Sequence, residues 1–436
     1  MDRTYESLKR EYPNFYYHGY DLEISSQIKV TFNFEIEKLS EFHPTFTFPH
    51  SITFDLETLE VLIFNLGMVE LISYWKSCCC KNVIIKNFGL TDKQARFWKK
   101  LYFNGLGEFF YLNSIETNEN DFMNLIYENQ NIHLDIDESL YHKVLVPIGG
   151  GKDSVVSLEL IKEMKNFKAA TFSINRISSA ASTIKVSGLD EDLISYRTLD
   201  KNLLKLNSLG FLNGHTPFSS LVAFSSYIVA YLNGFKYIAL SNESSANEST
   251  VKDSTVNHQY SKSFEFETDF NEYINNLVNS KPILYFSLLR QMNELQIARK
   301  FANYKQYHLI FRSCNVGSKE GIWCGHCPKC LFVFIILLPF IEIQDLMQIF
   351  NNENLLNKDS MDSYFKELCG ISENKPFECV GTVREVLACL NSVIDEDYLL
   401  INRYRDKIKE NFVSLDEVLD EFNDDNLIPK EFFYEN

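Results

Sequence analysis

The stretch Val144-Leu-Val-Pro-Ile148, followed by Gly149-Gly-Gly-Lys-Asp-Ser154, decides the fold of this chain. An apolar, β-rich run meets three consecutive glycines, and an amphipathic segment from Val155 to Phe167 comes next. Glycine lets the backbone approach an anion closely, and the N–H groups at the start of a helix face such an anion. The stretch therefore predicts a strand, a phosphate-binding loop and a helix, with the chemistry of the protein at their junction.

The composition is that of a globular, acidic protein. The chain has 436 residues, of which 45% are hydrophobic and 23% are charged, and its formal net charge is −17. This length suggests about two or three domains. The acidic balance argues against broad binding to a nucleic-acid backbone, which needs clustered Lys and Arg. We therefore expect a small-molecule substrate and no nucleic-acid partner, and no pattern predicts an oligomeric state.

The sequence shows neither an export signal nor a membrane span. The stretch from Met1 to Tyr17 is polar and aromatic, without the basic-then-apolar order of a signal peptide. The longest apolar run, Leu331 to Ile341, contains Pro339 and has about half the length that a membrane helix needs. We expect a soluble, cytoplasmic protein without membrane contact. Ten cysteines in such a chain favour metal binding or thiol chemistry over disulfides.

The hydrophobic pattern divides the chain into three regions. Residues 1–138 combine strand-like alternation with helical spacing from Leu56 to Trp75, which predicts an N-terminal α+β domain. Residues 139–345 alternate strand and helix patterns, which predicts an α/β domain with a doubly wound, mainly parallel sheet. Residues 346–436 are predicted to form a helical C-terminal region. Ligands of such a sheet bind beyond the carboxyl ends of its strands, where the glycine loop lies.

Two features of the first region carry no predicted chemistry. Cys78-Cys79-Cys80 is conspicuous, but adjacent side chains point in different directions and do not easily share one metal ion, so a structural role is favoured. The segment Asn118 to Asp137 is dense in Asn, Asp and Glu, which predicts a loop or linker.

Four cysteines form the strongest metal-binding pattern. They are Cys314, Cys324, Cys327 and Cys330, the last three within Cys-Gly-His-Cys-Pro-Lys-Cys. Four thiolates at this spacing suit a closed tetrahedral site with no position open for water, so we expect a structural zinc ion. An iron–sulfur cluster is the alternative for four cysteines. His326 is expected to neighbour the site without binding the metal.

Polar side chains follow the strand pattern that ends at Leu240. They are Asn242, Glu243, Asn247 and Glu248. At the carboxyl end of a strand, such a cluster predicts a wall that binds substrate, with Glu243 as the leading magnesium ligand. A solvated polar turn is the alternative interpretation.

Two further segments offer groups that can exchange protons. His258 and Lys262 lie four residues apart and would share one face of a helix, where either could bind an anion or move a proton. The turn Pro376-Phe-Glu-Cys-Val-Gly381 places the carboxylate of Glu378 beside the thiol of Cys379. A core thiol is the alternative interpretation of Cys379.

The glycine loop resembles the pyrophosphate loop of N-type ATP pyrophosphatases. The likeness rests on Gly150-Gly151-x-Asp153-Ser154 after a strand pattern, whereas the spacing of a Walker loop is absent. In that family the loop holds the pyrophosphate of ATP, and the enzyme adenylates its substrate and releases pyrophosphate. The resemblance implies a fold like that of the adenine nucleotide α-hydrolases. Gly149 departs from the usual Ser, which removes one hydroxyl and leaves the backbone cradle.

Within this resemblance, several residues acquire roles around ATP. The expected cradle consists of Gly149, Gly150, Gly151, Lys152, Asp153 and Ser154. Lys152 and Ser154 are expected to contact phosphate, and Asp153 is placed to reach magnesium on the pyrophosphate. Ser173 ends the second strand pattern, where such enzymes receive adenine through main-chain groups, and Arg176 just beyond it is a candidate ATP contact.

Six blocks in the same order resemble one family, the ATP-dependent UDP-N-acetylmuramoyl-L-alanyl-L-glutamate epimerases. They are the loop at 149–154, Ser-Asn-Glu-x-Ser-Ala-Asn-Glu at 241–248, Val-Asn-His-Gln-Tyr-Ser-Lys-Ser at 256–263, Tyr-Phe-Ser-Leu-Leu-Arg at 285–290, the cysteine cluster, and Pro-Phe-Glu-Cys-Val-Gly-Thr at 376–382. The resemblance implies that the terminal L-Glu of UDP-MurNAc-L-Ala-L-Glu becomes D-Glu during peptidoglycan precursor synthesis. ATP would be consumed to AMP and pyrophosphate.

Elementary chemistry makes this use of ATP reasonable. Loss of the Cα proton beside a free carboxylate would place a carbanion next to a negative charge, and adenylation of the α-carboxyl removes that charge. A base can then take the proton from one face, and an acid can return one to the other. Cys379 is the expected base, Glu378 or His258 would assist it, and Lys262 is a further candidate.

Two arginines are candidate substrate contacts, and two other functions are possible for this sequence. Arg290 and Arg312 are predicted to clamp the γ-carboxylate or the diphosphate of the substrate. One rival function is another adenylating enzyme with the same loop and zinc, resembling 7-cyano-7-deazaguanine synthase or acting on a different peptide. The other is a non-catalytic scaffold that binds ATP or zinc, which would not need Lys152, Asp153 and Ser154 together.

Overall fold

A computed structural model of the protein describes residues 3–130, 134, 136, 141–247, 257–278, 283–314, 316–317, 320–372 and 375–433. The chain forms two compact units. Unit 1 comprises Met1–Leu145, Leu193–Ile238 and Tyr260–Tyr285, and unit 2 comprises Val146–Asp192, Ala239–Gln259 and Phe286–Asn436. The three-domain division at residues 138 and 345 stays a prediction.

The described residues form eleven strands in one sheet. The strands are β1 (Asn14–Ile24), β2 (Gln27–Ile36), β3 (Ser40–Phe42), β4 (Thr45–Pro49), β5 (Asn82–Leu90), β6 (Asn124–Asn129), β7 (Tyr141–Pro147), β8 (Lys168–Ile174), β9 (Asp192–Thr198), β10 (Phe235–Leu240) and β11 (Leu284–Ser287). Their order is β11-β10-β7-β8-β9-β4-β2-β1-β5-β6, and β3 pairs with β2. Parallel pairs join β7 to β10, β1 to β5 and β5 to β6, whereas β2 is antiparallel to β1, β3 and β4.

Sixteen α-helices lie within the described part of the chain. They are α1 (Tyr5–Glu11), α2 (Leu56–Trp75), α3 (Asp92–Gly105), α4 (Gly107–Leu112), α5 (Lys152–Glu163), α6 (Ser178–Ser187), α7 (Lys201–Ser208), α8 (Phe218–Asn233), α9 (Phe264–Leu277), α10 (Glu294–Ala302), α11 (Pro328–Leu337), α12 (Ile343–Ile349), α13 (Asp362–Leu368), α14 (Val383–Ser392), α15 (Leu399–Glu410) and α16 (Leu415–Leu419). The α/β class and the helical C-terminal region are confirmed. None of these helices is long and apolar enough to cross a membrane.

Unit 1 confirms one local prediction and corrects another. Helix α2 spans the predicted residues because Asp55 caps it, accepting a 2.7 Å hydrogen bond from Thr58 N, and because nearly all its side chains are buried. The segment predicted as a loop between Asn118 and Asp137 contains β6, which pairs with β5. The loop prediction was wrong for residues 124–129. Strand β6 is largely exposed and has polar residues at both ends, so its sequence looks like that of a loop.

The cysteine triplet lies at the end of α2. All three thiols are buried, and burial raises the pKa of Cys79 well above its usual value and that of Cys80 to about 12. Thiols held neutral in the core behave as small apolar groups. This placement agrees with the structural role predicted for Cys78 to Cys80.

In unit 2, the carboxyl ends of the strands carry the loops that build the site. The glycine loop leads into α5, the chain after β8 leads into α6, and the segment after β10 contains the 3₁₀ helix Ser244–Asn247. Helix α10 packs against α5 and α11, and α11 packs against α14. The first part of the apolar run, residues 331–337, therefore lies in the buried helix α11 in the core of unit 2, and the run leaves the helix before Pro339.

Candidate active site

The glycine loop has the predicted strand–loop–helix form. Gly150 has a φ of +84°, and a Cβ there would lie 2.4 Å from Ser179 Oγ and 2.6 Å from Ala180 N, so this position requires glycine. Helix α5 begins at Lys152 with Gly151 as its N-cap, and no side chain caps it. Its first N–H groups thus lack a side-chain acceptor, which is the arrangement that binds an anion.

The loop is supported from one side by the segment after α10. Arg312 N donates a 2.8 Å hydrogen bond to Gly150 O, and a Cβ on Gly151 would lie 2.9 Å from Ser313 Oγ. Ser154 Oγ donates to Gly151 O at 2.9 Å. At Gly149, in contrast, an added Cβ would meet no atom within 4 Å. A serine Cβ would therefore fit at position 149 without contact to protein atoms.

A cluster of buried charges surrounds the first turn of α5. The ammonium of Lys152 donates to the carboxylates of Asp153 and Glu294. Burial alone would lower the pKa of Lys152, but these two carboxylates hold it above its usual value. Burial raises the pKa of Glu294; Lys152 opposes this, and the charges of Asp153 and Glu243 raise it further. Glu243 thus lies in the electrostatic surroundings of Glu294, and its binding of magnesium stays a prediction.

The turn at 376–382 packs onto this cluster through Glu385. Glu385 accepts hydrogen bonds from Glu294 N at 2.8 Å and from Thr382 N and Oγ1 at 2.5 and 2.8 Å. Burial, together with the charge of Glu294, raises the pKa of Glu385 to about 7. A Cβ on Gly381 would lie 2.5 Å from Glu385 Oε2 and 3.1 Å from Glu294 Cγ. The glycine loop and the turn therefore meet at one side chain, Glu294.

Two side chains hold the backbone of this turn. Lys329 Nζ donates to the carbonyl oxygen of Cys379, and Gln259 Nε2 donates to Val380 O at 3.2 Å. The side chains of Cys379 and Glu378 are half-buried, whereas Val380 is buried. The thiol of Cys379, which is predicted to act as the base, is therefore partly accessible, while the backbone of the turn is held by hydrogen bonds.

The wall after β10 is organised by a buried arginine. Arg290 is fully buried, and its guanidinium donates to Glu243 O at 2.6 Å and to Ser287 Oγ at 3.3 Å. Asn242 Nδ2 donates to the same Ser287 Oγ at 3.1 Å. Arg290 therefore supports the backbone that carries Glu243, and its predicted contact with substrate stays a prediction. The backbone of Asn247 ends a short 3₁₀ helix.

Three predicted residues of the adjoining segments have different outcomes. Glu248 lies outside the described residues. His258 lies in a turn and Lys262 ends the 3₁₀ helix Tyr260–Lys262. The predicted α-helical face shared by His258 and Lys262 was therefore wrong, because the chain turns between them. Their roles in proton transfer stay predictions.

The two residues predicted to contact ATP at and just beyond the end of β8 have partners within the protein. Ser173 is buried, and its Oγ donates to Ile148 O at 3.2 Å. Arg176 forms an ion pair with Asp192, which also accepts a 2.8 Å hydrogen bond from Thr171 Oγ1. These contacts order the carboxyl end of β8, and the contacts with ATP stay predictions.

The four cysteines predicted to bind zinc come together in unit 2. Their Sγ atoms all lie within 4.8 Å of one another, with Cys314 and Cys327 3.8 Å apart and Cys324 and Cys330 3.6 Å apart. A tetrahedral zinc ion with bonds of about 2.3 Å needs sulfurs about 3.8 Å apart, so the donor set fits this metal. His326 is exposed, and its Nδ1 lies 2.7 Å from Cys324 O, outside the sulfur cluster.

Comparison with known families decides where this site belongs. The family model described as the MurL N-terminal domain matches residues 6–288, and that of the MurL C-terminal domain matches residues 310–415. The chain belongs to the MurL family. The MurL match therefore includes the glycine loop, the cysteine cluster and the turn at 376–382.

Curated MurL relatives carry one name, UDP-N-acetyl-alpha-D-muramoyl-L-alanyl-L-glutamate epimerase. The protein from Xanthomonas oryzae pv. oryzae is 34% identical over 328 residues, covering 73% of this chain and 71% of its own. That from a Micromonospora species is 31% identical over 352 residues, covering 78% and 76%. That from Salinispora tropica is 36% identical over 254 residues, covering 57% and 54%. No solved structure matches the chain.

Four residues of this MurL site were not predicted as functional from sequence: Gln259, Glu294, Lys329 and Glu385. Gln259 lies within the Asn-His-Gln block and Lys329 within the Cys-Pro-Lys-Cys block, so each adjoins a quoted motif. Glu385 closes the pattern Thr382-x-x-Glu385, a capping box that begins α14 and is readable from sequence. Glu294 has no such signal, because it is an ordinary first-turn acid of α10.

Proposed function

We propose that this protein converts the terminal L-Glu of UDP-MurNAc-L-Ala-L-Glu to D-Glu. The proposal is supported by membership of the MurL family and by the name of the curated relatives. Within unit 2, one observation carries it: the glycine loop and the turn of Cys379 converge on Glu294. A phosphate-binding loop and a candidate carbon base are thus parts of one site.

We further propose that ATP activates the α-carboxylate of the terminal glutamate. The uncapped start of α5 and the ammonium of Lys152 suit a pyrophosphate group, since both favour negative charge. Attack of the α-carboxylate oxygen on the α-phosphate would form the acyl-adenylate and release pyrophosphate. Asp153 and Glu243 would hold magnesium, whose charge, when it is bound, offsets that of the phosphates.

The proton exchange follows from this activation. In the acyl-adenylate, the Cα–H bond lies next to a neutral acyl group, so the electron pair left by its cleavage is delocalised as an enolate. The thiolate of Cys379 would take this proton on one face, and His258 or Glu378 would supply one on the other. Water would then cleave the acyl–phosphate bond, giving AMP and the free carboxylate of D-Glu.

The zinc site would support this chemistry by positioning residues of the turn at 376–382. Helix α11 begins inside the cysteine cluster, so the residue before Cys330 is fixed by the same loop. That residue is Lys329, which donates to the carbonyl oxygen of Cys379. Zinc, when bound, would supply a closed structural cross-link and no open coordination position. Its proposed role is thus to place Lys329 and the turn.

The two arginines contribute differently in this proposal. Arg312 Nε donates to Gly321 O at 3.0 Å beside the glycine loop, and its guanidinium is half-buried. We propose that Arg312 contacts the phosphate chain or the substrate carboxylate. Arg290 donates to the carbonyl oxygen of Glu243 and so holds this segment in place. We propose that Arg290 acts on the substrate indirectly, through the residues that it positions.

One incubation separates the proposal from its rivals. The protein is mixed with ATP, magnesium and UDP-MurNAc-L-Ala-L-Glu, and pyrophosphate release and the chirality of the glutamate are measured. We expect pyrophosphate and D-Glu in equal amounts. Pyrophosphate without D-Glu would point to another adenylating enzyme, and no pyrophosphate would favour a non-catalytic scaffold. Either result would contradict the proposed reaction.

A further inference from the structure

A second helix begins against the glycine loop. Helix α6 starts at Ser178 with Ile177 as its N-cap, and no side chain caps it. The Cβ position of Gly150 lies 2.6 Å from Ala180 N, in the first turn of α6. The uncapped N-termini of α5 and α6 therefore meet at this loop, and both direct partial positive charge toward it.

The first turn of α6 also contains a buried hydroxyl with no partner. Ser179 is 3% exposed, and among the described residues nothing accepts from or donates to its Oγ. This oxygen lies 2.4 Å from the Cβ position of Gly150, so it is directed at the loop. Ser187, at the other end of α6, donates to Ile184 O at 2.6 Å. Burial of a hydroxyl without a partner is unfavourable, which points to a ligand that completes it.

One arginine, Arg312, holds the segment that borders the start of α6. Arg312, whose N–H donates to Gly150 O, also donates through Nε to Gly321 O at 3.0 Å. The Cβ position of Gly321 lies 2.5 Å from Ser178 Oγ, so the segment held by Arg312 borders the start of α6. Two helix N-termini with an arginine on the bordering segment favour a phosphate group over a neutral ligand, although the guanidinium also donates to Phe311 O at 2.6 Å.

We propose that Ser179 and the N-terminus of α6 form a second phosphate-group subsite beside the glycine loop. The ligand is one phosphoryl group of a polyphosphate chain, bound by the Ser179 hydroxyl and the first N–H groups of α6. The subsite rests on the proposed use of ATP, since it would extend the cradle of the α5 terminus along the phosphate chain. The diphosphate of a UDP-linked substrate offers the same chemistry, so the test must separate the two sources.

The test compares the full-length wild type with Ser179→Ala, with Ser187→Ala as the control on the same helix. Binding of inorganic pyrophosphate, ATP and UDP is measured by titration calorimetry with magnesium present. We expect Ser179→Ala to weaken pyrophosphate and ATP by about tenfold, the effect of one hydrogen bond to a charged group, and to leave UDP unchanged. Weakening of UDP alone would assign the subsite to the sugar nucleotide.

Two further measurements separate a ligand contact from a packing role. Without ligand, Ser179→Ala is expected to have the same thermal midpoint as the wild type or a higher one, because it removes an unsatisfied buried hydroxyl. Ser187→Ala is expected to lower that midpoint, because its hydroxyl is bonded. Adding Gly149→Ser to Ser179→Ala is expected to restore part of the lost affinity, since position 149 has room for a side chain and borders the same loop.

The proposal is overturned if all three ligands bind Ser179→Ala within twofold of the wild type, or if the wild type binds none of them. It is also overturned if Ser179→Ala loses stability without ligand as Ser187→Ala does. Epimerisation is scored separately. If Ser179→Ala binds pyrophosphate more weakly but the wild type makes no D-Glu, the subsite is supported and the proposed function is rejected. Normal binding in a variant that makes D-Glu would reject the subsite alone.

Discussion

The buried carboxyl group of Glu385 makes the stability of unit 2 depend on pH in a way that one substitution reveals. In Glu385→Gln, an amide replaces a carboxylate that accepts from Glu294 N and from Thr382 N and Oγ1. The glutamine side chain has one oxygen, which can accept either from Glu294 N or from Thr382 N. The NH2 group of the amide then faces the other backbone N–H. The variant therefore loses a bond at every pH, while it also removes a group that titrates.

The size of both effects follows from the site. An unsatisfied buried N–H costs about 1 to 3 kcal/mol. Burial and the charge of Glu294 raise the pKa of Glu385 from 4.5 to about 7, which corresponds to about 3 kcal/mol. Because the folded state holds this proton more tightly than the unfolded chain, the stabilisation is complete below pH 4.5 and is lost as pH rises through about 7. The variant Glu385→Gln has no carboxyl group at this position, so its stability does not fall with rising pH for this reason.

Urea unfolding followed by circular dichroism at pH 5 and pH 8 measures the difference. We expect Glu385→Gln to be less stable than the wild type at pH 5. Between pH 5 and pH 8 the wild type should lose about 2 to 3 kcal/mol that the variant keeps, so the gap should close or reverse at pH 8. The exposed Glu410 provides the control, because Glu410→Gln should change neither value appreciably. A gap for Glu385→Gln that is the same at both pH values would refute the assignment of this carboxyl as a buried titrating group.

Three other substitutions test separate parts of the site. Lys152→Gln should slow pyrophosphate release by about 100-fold, because it removes a preorganised cation from the phosphates, and a loss under threefold would contradict this role. Cys379→Ala should release pyrophosphate but incorporate no solvent deuterium at Cα of the glutamate; normal incorporation, read by mass spectrometry, would exclude Cys379 as the base. Cys327→Ser should lower the zinc content by elemental analysis and the thermal midpoint, and should slow deuterium incorporation through Lys329; full activity without metal would contradict the link.

Local features of the site could be predicted from sequence, because neighbouring residues determine them. Consecutive glycines after an apolar run fix the loop and the start of α5, and the spacing of Cys324, Cys327 and Cys330 fixes three of the four thiols. The helical face of His258 and Lys262 was a local prediction too, but it assumed a continuous α-helix where the chain turns.

Contacts between distant segments could not be predicted. Lys152 and its partner Glu294 are 142 positions apart, and Gln259 and Val380 are 121 apart. No periodicity or spacing couples residues at such separations, since the contact exists only once the sheet and helices have packed. The buried position of Arg290 is of the same kind, because its guanidinium bonds to Glu243 O, 47 positions away.

In the proposed reaction, ATP-driven activation of a carboxyl group permits exchange of the Cα proton. The most direct measurement is the reaction in deuterated water with UDP-MurNAc-L-Ala-L-Glu, with and without ATP, followed by mass spectrometry and chiral analysis of the glutamate. We predict D-Glu that carries one deuterium at Cα, formed only with ATP and accompanied by an equal amount of AMP. D-Glu formed without ATP, or formed without deuterium, would contradict the account.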